Sequence, residues 1–454
     1  MKHIILPLVA AALLGALSLT LAAKHEPATE ADAPSVRLRV DVDRSILPSE
    51  STERAVVKIA LDGLRPARRE LRPPVNLALV IDRSGSMSGA KIAKAREAAL
   101  EAVRRLSPND LVSLVAFDSR VETLVHAQRV GNGRRLEEAI CQIEANGNTA
   151  LYGGVTAAAA EVRKHSEDGR YFNRIILLSD GLANVGPSSP DELGRLGTSF
   201  MKEGISVTTV GLGLGFNEDL MTRLAQRSDG NTYFVENSGD LPGIFAAELG
   251  DVLNVIARRV VIEIEFPVGV RPIGFVGREG TIRGQRAELT LSQIYGGQEK
   301  FALVEVEVAP SQPGEEREIA RARVSYDDAI NQRTSTLTAA RTVQFSASRA
   351  AVVASADHKV QTDYAANVMA VAKDEAVSLV DAGQRERAGA LLRDKARELN
   401  EVAKEYRNSA VGSMAQAAAP EADRLASEGL SNAERKIYRA DSAQVKTQQS
   451  AGRP

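Results

Sequence analysis

Three short segments concentrate oxygen-bearing side chains where the chain must turn. Asp82, Ser84 and Ser86 lie in Val80-Ile-Asp-Arg-Ser-Gly-Ser-Met87, Thr149 lies in Asn146-Gly-Asn-Thr-Ala150, and Asp180 lies in Leu177-Leu-Ser-Asp-Gly181. The first group follows an apolar run at 75–81, and Asp180 follows another at 174–178. Runs of this kind read as buried strands. Thr149 precedes an alanine-rich helical stretch at 151–165. Hydroxyls and carboxylates displayed on turns at strand ends suit a hard divalent cation. Mg2+ takes oxygen donors in near-octahedral geometry and keeps several waters, with Mn2+ or Ca2+ as alternatives. Asp-x-Ser-x-Ser alone also describes a strand-to-helix turn in which Ser84 or Ser86 caps a helix starting near Gly89. The three pieces in order favour the cation.

The elements that would position these residues alternate. Strands are expected at 75–81, 111–117, 121–126, 174–178, 205–211 and 232–235. Helices are expected at 91–106, 134–143, 151–165, 190–202, 217–227 and 238–257. Uncharged runs such as Leu111-Val-Ser-Leu-Val-Ala-Phe117 suit strands buried on both faces. The alternation predicts a mostly parallel, doubly wound α/β sheet. On both sides of it the pattern is β. Strict alternation marks 36–42, 55–61, 260–266, 286–291, 301–308, 319–326 and 338–345, with a short strand at 281–283. Two early strands are too few to fold alone. They are expected to pair with the later ones, so that the α/β domain interrupts a β-sandwich. From 346 the chain becomes alanine-rich and helical. Stretches 365–382 and 384–406, joined by Asp381-Ala-Gly-Gln384, read as an α-hairpin. The last residues, 442–454, read as a disordered tail.

Together the three segments resemble the metal-ion-dependent adhesion site of von Willebrand factor type A domains: Asp-x-Ser-x-Ser, a distant Thr, a more distant Asp. The resemblance covers about 75–255. It implies a Rossmann-like sheet of order 3-2-1-4-5-6, with Asp82 ending strand 1 and Asp180 ending strand 4. Ligands of open α/β sheets bind at such a switch point. The resemblance also implies that Ser84, Ser86 and Thr149 bind the ion directly, and Asp82 and Asp180 mostly through water. Direct donors so poor in charge would leave the cation seeking a carboxylate from outside. In this family ligand binding is coupled to movement of the domain's last helix, here 238–257, which would enter the sandwich through Ala257-Arg258-Arg259. Gly213-Leu-Gly-Phe-Asn-Glu-Asp-Leu-Met221 and Tyr233-Phe-Val-Glu-Asn237 look like exported bacterial proteins of the chloride-channel-like or inter-alpha-trypsin-inhibitor-like class. The domain boundaries that follow are a signal at 1–24, a split sandwich at 36–72 and 258–346, the von Willebrand A domain at 73–257, and a helical region at 347–441.

Other features narrow the reading. Lys2 and His3 followed by an apolar stretch at 4–23 form an export signal. The expected location is periplasmic or envelope-associated, with membrane attachment only if that segment is retained as an anchor. A net charge of −2, 4% aromatic residues and no tryptophan leave little to recommend a nucleic-acid partner. Five scattered histidines lack zinc-ligand spacing. The single Cys141, among Leu136, Ile140 and Ile143, reads as a buried core residue. Arg83 reads as solvated. Gly211-Leu-Gly-Leu-Gly215 has Phe216 where a dinucleotide fingerprint needs glycine, and reads as a tight turn. The C-terminal cations Arg385, Arg387, Arg393, Lys395 and Arg397 alternate with acids and read as a solvated face.

The expected function is a non-enzymatic, exported protein-binding module, engaging an Asp or Glu carboxylate of a partner protein through the cation. A Mg2+-dependent phosphohydrolase is the rival. It would want a second acid two residues after Asp82, where Ser84 stands. A structural envelope protein with a vestigial metal site is the third reading.

Overall fold

The computed structural model describes residues 34–65, 73–166 and 170–449. The signal read at 1–24, most of the linker after it and the end of the tail lie outside these residues. The chain opens with β1 (Val36–Val42), β2 (Ile46–Pro48) and β3 (Glu53–Gly63). The α/β portion follows: β4 (Val75–Asp82), α1 (Ala90–Arg105), β5 (Leu111–Phe117), β6 (Val121–Arg129), α2 (Arg134–Cys141), α3 (Leu151–Arg163), β7 (Phe172–Ser179), α4 (Pro190–Lys202), β8 (Ile205–Leu212), α5 (Glu218–Arg227), β9 (Thr232–Val235) and α6 (Leu241–Val252). Then come β10 (Val255–Glu265), β11 (Val270–Val276), β12 (Thr281–Arg283), β13 (Arg286–Tyr295), β14 (Glu299–Val308), β15 (Glu316–Asp328) and β16 (Arg333–Ser346). Five helices close the chain: α7 (Arg349–Ala354), α8 (His358–Asp381), α9 (Arg385–Tyr406), α10 (Ser409–Glu428) and α11 (Asn432–Thr447).

The α/β sheet runs β6-β5-β4-β7-β8-β9, parallel except for the edge strand β6. In strand numbers of that sheet alone this is the order 3-2-1-4-5-6, as the resemblance implies. β4, β5, β7 and β8 lie between two apolar layers, which is why they lack alternation. Leu77, Leu79 and Ile81 face α1, α2 and α6. Ala78 and Val80 face α3, α4 and α5.

The flanking strands form two sheets, β1-β3-β14-β11 and β12-β13-β10-β15-β16-β2. β3 pairs with β14 through ten residues, so the early strands depend on the late ones. One core joins the inner faces, with Val57, Ile59, Val304 and Val306 meeting Ile262, Ile264, Leu289 and Val324. β3 is buried on its outer face too, where Val56 and Ala60 pack with Phe301 and Val360 of α8. Lys58 on that face is buried between Glu299 and Asp363. β11 escapes the sequence pattern because Pro272 interrupts it. It is an edge strand whose register shifts between Pro272 and Gly274, one of the places a sheet tolerates proline.

Three expectations need correction. The last helix of the α/β portion ends at Val252 rather than 257. Val255–Ala257 already belong to β10, so the connection is Leu253-Asn254, held by Asn254 Nδ2 donating to the Gly296 carbonyl at 2.6 Å. Cys141 is exposed. Leu136, Ile140 and Ile143 form the buried stripe, and Cys141, about 100° round the helix from Ile140, falls off it. The helical hairpin α8–α9 is extended by α10 and α11, and α11 is ordered to Thr447, well past 442. α11 is polar by composition but returns to the α/β portion. Arg435 pairs with Glu218 and Asp219, and buried Lys436 pairs with Glu218. It also covers the β9 edge, where Gln444 Nε2 donates to the Thr232 carbonyl at 3.1 Å. No helix among the described residues is long and apolar enough to cross a membrane.

Candidate functional site

β4 and β7 are adjacent and parallel, with Ile81 opposite Leu178, so their carboxyl ends deliver Asp82 and Asp180 side by side. After Asp82 the chain makes a 3-10 turn, Gly85–Met87, pinned by buried Met87. Ser84 and Ser86 stand on this turn. Neither caps α1, whose N-cap is Gly89 at φ 75°. The turn is tied to the Thr149 loop by Gly85 N donating to the Gly147 carbonyl at 3.0 Å, and by Asn146 N donating to the Arg83 carbonyl at 2.7 Å.

All five sequence-predicted residues therefore meet. Ser84 Oγ lies 3.0 Å from Ser86 Oγ, which donates to Asp180 Oδ1 at 2.7 Å. Ser84 N donates to Asp82 Oδ1 at 2.8 Å. A methyl group on Gly181 would come within 2.8 Å of Thr149 Oγ1 and 3.5 Å of Asp82 Oδ2, so those two oxygens converge over a position that only glycine fits. Asp82, Ser84, Thr149 and Asp180 are buried, whereas Ser86 is exposed. Thr149 is 3% exposed, and its hydroxyl has no hydrogen-bond partner among the described residues. Burial raises the Asp82 carboxyl to about 6, against the opposing hydrogen bonds from Ser179 and Ser84.

Three neighbours were not picked out from the sequence. Ser179 donates its hydroxyl to Asp82 Oδ2, and its one signal is its place directly before Asp180. Lys91, in the first turn of α1, pairs with Asp180 Oδ2. Asn184 Oδ1 accepts from Thr149 N at 2.8 Å and fixes that loop. Neither Lys91 nor Asn184 belongs to a recognisable spacing. Arg83 is not solvated: it pairs with Asp118 and Glu122, each at 2.9 Å. Gly215 and Gly211 serve packing, since a Cβ on Gly215 would stand 2.8 Å from the Asp180 carbonyl and one on Gly211 would strike the Phe216 ring. Among the described residues no group of three or more His, Cys, Asp or Glu side chains could hold an ion. The candidate donors here are mostly neutral hydroxyls.

Comparison with known proteins agrees with this architecture. Residues 76–247 match the von Willebrand factor type A domain family, and the chain carries such a domain. An uncharacterized protein of Synechocystis, sll0103, is 28% identical over 315 residues, covering 66% of this chain and 74% of the relative. Human inter-alpha-trypsin inhibitor heavy chain H3 is 26% identical over 201 residues, 43% of this chain. The chain spans 22% of that heavy chain's length. A von Willebrand factor type A structure from Catenulispora acidiphila superposes with a TM-score of 0.66 at 17% identity, covering 86% of this chain and 91% of that one. That likeness extends the shared fold beyond the α/β portion.

Proposed function

We propose that the von Willebrand factor type A domain at 76–247 makes this chain an exported, cation-dependent protein-binding module of the periplasm or cell envelope. Such domains commonly serve protein interaction and adhesion, and related proteins are generally not enzymes. The observation that carries the reading is the convergence of Thr149 Oγ1 and Asp82 Oδ2 over Gly181, beside the linked hydroxyls of Ser84 and Ser86. Ser84, Ser86 and Thr149 would hold Mg2+ or Mn2+ directly, and Asp82 and Asp180 would hold it through water. When bound, the ion supplies a Lewis-acidic position for a partner's Asp or Glu carboxylate. Ser179 fixes the Asp82 carboxylate, and Asn184 fixes the Thr149 backbone. The export signal supports the location. Ser84, where a phosphohydrolase would want a second acid, counts against hydrolysis.

The test is thermal unfolding of the full chain with Mg2+ or with chelator. Mg2+ at about 100 times its Kd should stabilise the protein by about 2.7 kcal/mol. Ser84→Ala/Ser86→Ala should abolish that gain while the chelated protein melts as before. No gain in the wild type would support a vestigial site, in which Lys91 permanently neutralises Asp180.

A further inference from the structure

Eight large apolar side chains are exposed among the described residues. Single exposed leucines need no explanation. Two of these eight, however, bracket Asp180. Leu182 is 59% exposed and stands two residues after it. Leu214 is 45% exposed and stands between Gly213, packed near the Lys91 ammonium, and Gly215, packed on the Asp180 carbonyl.

Neither leucine is exposed through looseness of its loop. Beyond Leu182, Asn184 N and Val185 N both donate to the Thr149 carbonyl, at 3.2 and 3.3 Å. The Leu214 carbonyl accepts from Asn432 Nδ2 of α11 at 3.0 Å, and the Phe216 carbonyl accepts from buried Lys436 at 2.6 Å. Gly213 N donates to the Val235 carbonyl at 2.7 Å. Fixed backbone thus holds both leucines in water beside the site. With a divalent cation offsetting Asp82 and Asp180, the Lys91 ammonium leaves the site net positive, so it complements an anionic group.

Building on the cation-binding function proposed above, we infer that Leu182 and Leu214 form an apolar rim that selects the partner: an extended protein segment whose acidic residue is flanked by large apolar side chains. The carboxylate meets the cation and Lys91, and the flanking side chains cover the two leucines. Partial burial of one leucine and its counterpart corresponds to about a tenfold gain in affinity.

The experiment presents the full chain, in Mg2+, to an array of synthetic peptides with a central glutamate flanked by Leu and Phe or by Ser. The expected result is Mg2+-dependent binding about tenfold stronger to the apolar-flanked peptides. Leu182→Ser/Leu214→Ser should lose that preference while keeping the wild-type Mg2+-induced melting shift. Equal binding to both peptide sets overturns the inference, as does a preference that survives in the double variant. Free acetate competing as well as the best peptide overturns it too. If the wild type shows no Mg2+ shift, the cation-binding function itself fails, which is a distinct result.

Discussion

The two ends of the α/β sheet both bury polar side chains, and they arrange them differently. Toward the amino ends of the strands, Glu248 of α6 is fully enclosed and fully partnered. Its Oε2 accepts from Asn231 Nδ2 at 2.8 Å and Tyr233 Oη at 3.1 Å. Its Oε1 accepts from Thr208 and lies 3.4 Å from Arg174 Nη2. Arg174 in turn donates to Tyr295 of β13, so the network crosses into the sandwich. At the carboxyl ends, Asp82, Ser84, Ser86 and Asp180 bond to one another and to Lys91, and the Thr149 hydroxyl makes no hydrogen bond among the described residues. The closed network fastens α6 and the sandwich to the sheet. In the function proposed above, the open cluster offers that hydroxyl to a cation. Any movement of α6 that accompanied binding would first have to break the bonds of Glu248.

The comparison breaks most visibly at the closed end. Arg174→Ala leaves Glu248 buried without its counter-charge and should cost about 3–5 kcal/mol in chemical denaturation. A loss below about 1 kcal/mol would mean that water or relaxation satisfies Glu248, and the two ends would no longer differ. At the open end Gly181→Ala should cost less, about 1–3 kcal/mol, because the new methyl crowds Thr149 Oγ1 at 2.8 Å. Its diagnostic effect is different: Mg2+-dependent stabilisation should disappear, whereas the Arg174 variant should retain it on whatever fraction remains folded.

The smallest effect concerns pH. The Asp82 carboxyl titrates near 6 in the folded chain and near 3.8 when exposed. Between those values the folded state holds the extra proton, so in chelator this group's contribution to stability falls as pH rises from about 4 to above 6. The fall should be about 1–3 kcal/mol. Asp82→Asn should remove that part of the pH profile. An unchanged profile would show that Asp82 is better solvated than its burial implies.

Much of this was legible in the sequence, for identifiable reasons. Strand ends deliver Asp82 and Asp180, and a strand run followed by Asp or Ser is a local pattern. The sandwich strands declare themselves by alternation, since each sheet presents one face to the common core. What was illegible depends on distant contacts. Ser179, Lys91 and Asn184 acquire their roles when β4, β7, α1 and α3 meet. β11 hides behind Pro272. α11 carries too many charges to look like packing material, because its partners Glu218 and Asp219 lie more than 200 residues away. Cys141 shows the limit of proximity arguments: one position along a helix separates the apolar stripe from solvent.

Anomalous diffraction from crystals of the full chain soaked in Mn2+ would locate the cation directly. One strong peak is expected, bounded by the hydroxyl oxygens of Ser84, Ser86 and Thr149, and absent or much weakened in crystals of Thr149→Ala. No peak at that position, or a peak that persists undiminished in the Ser84→Ala/Ser86→Ala variant, would contradict the proposed function.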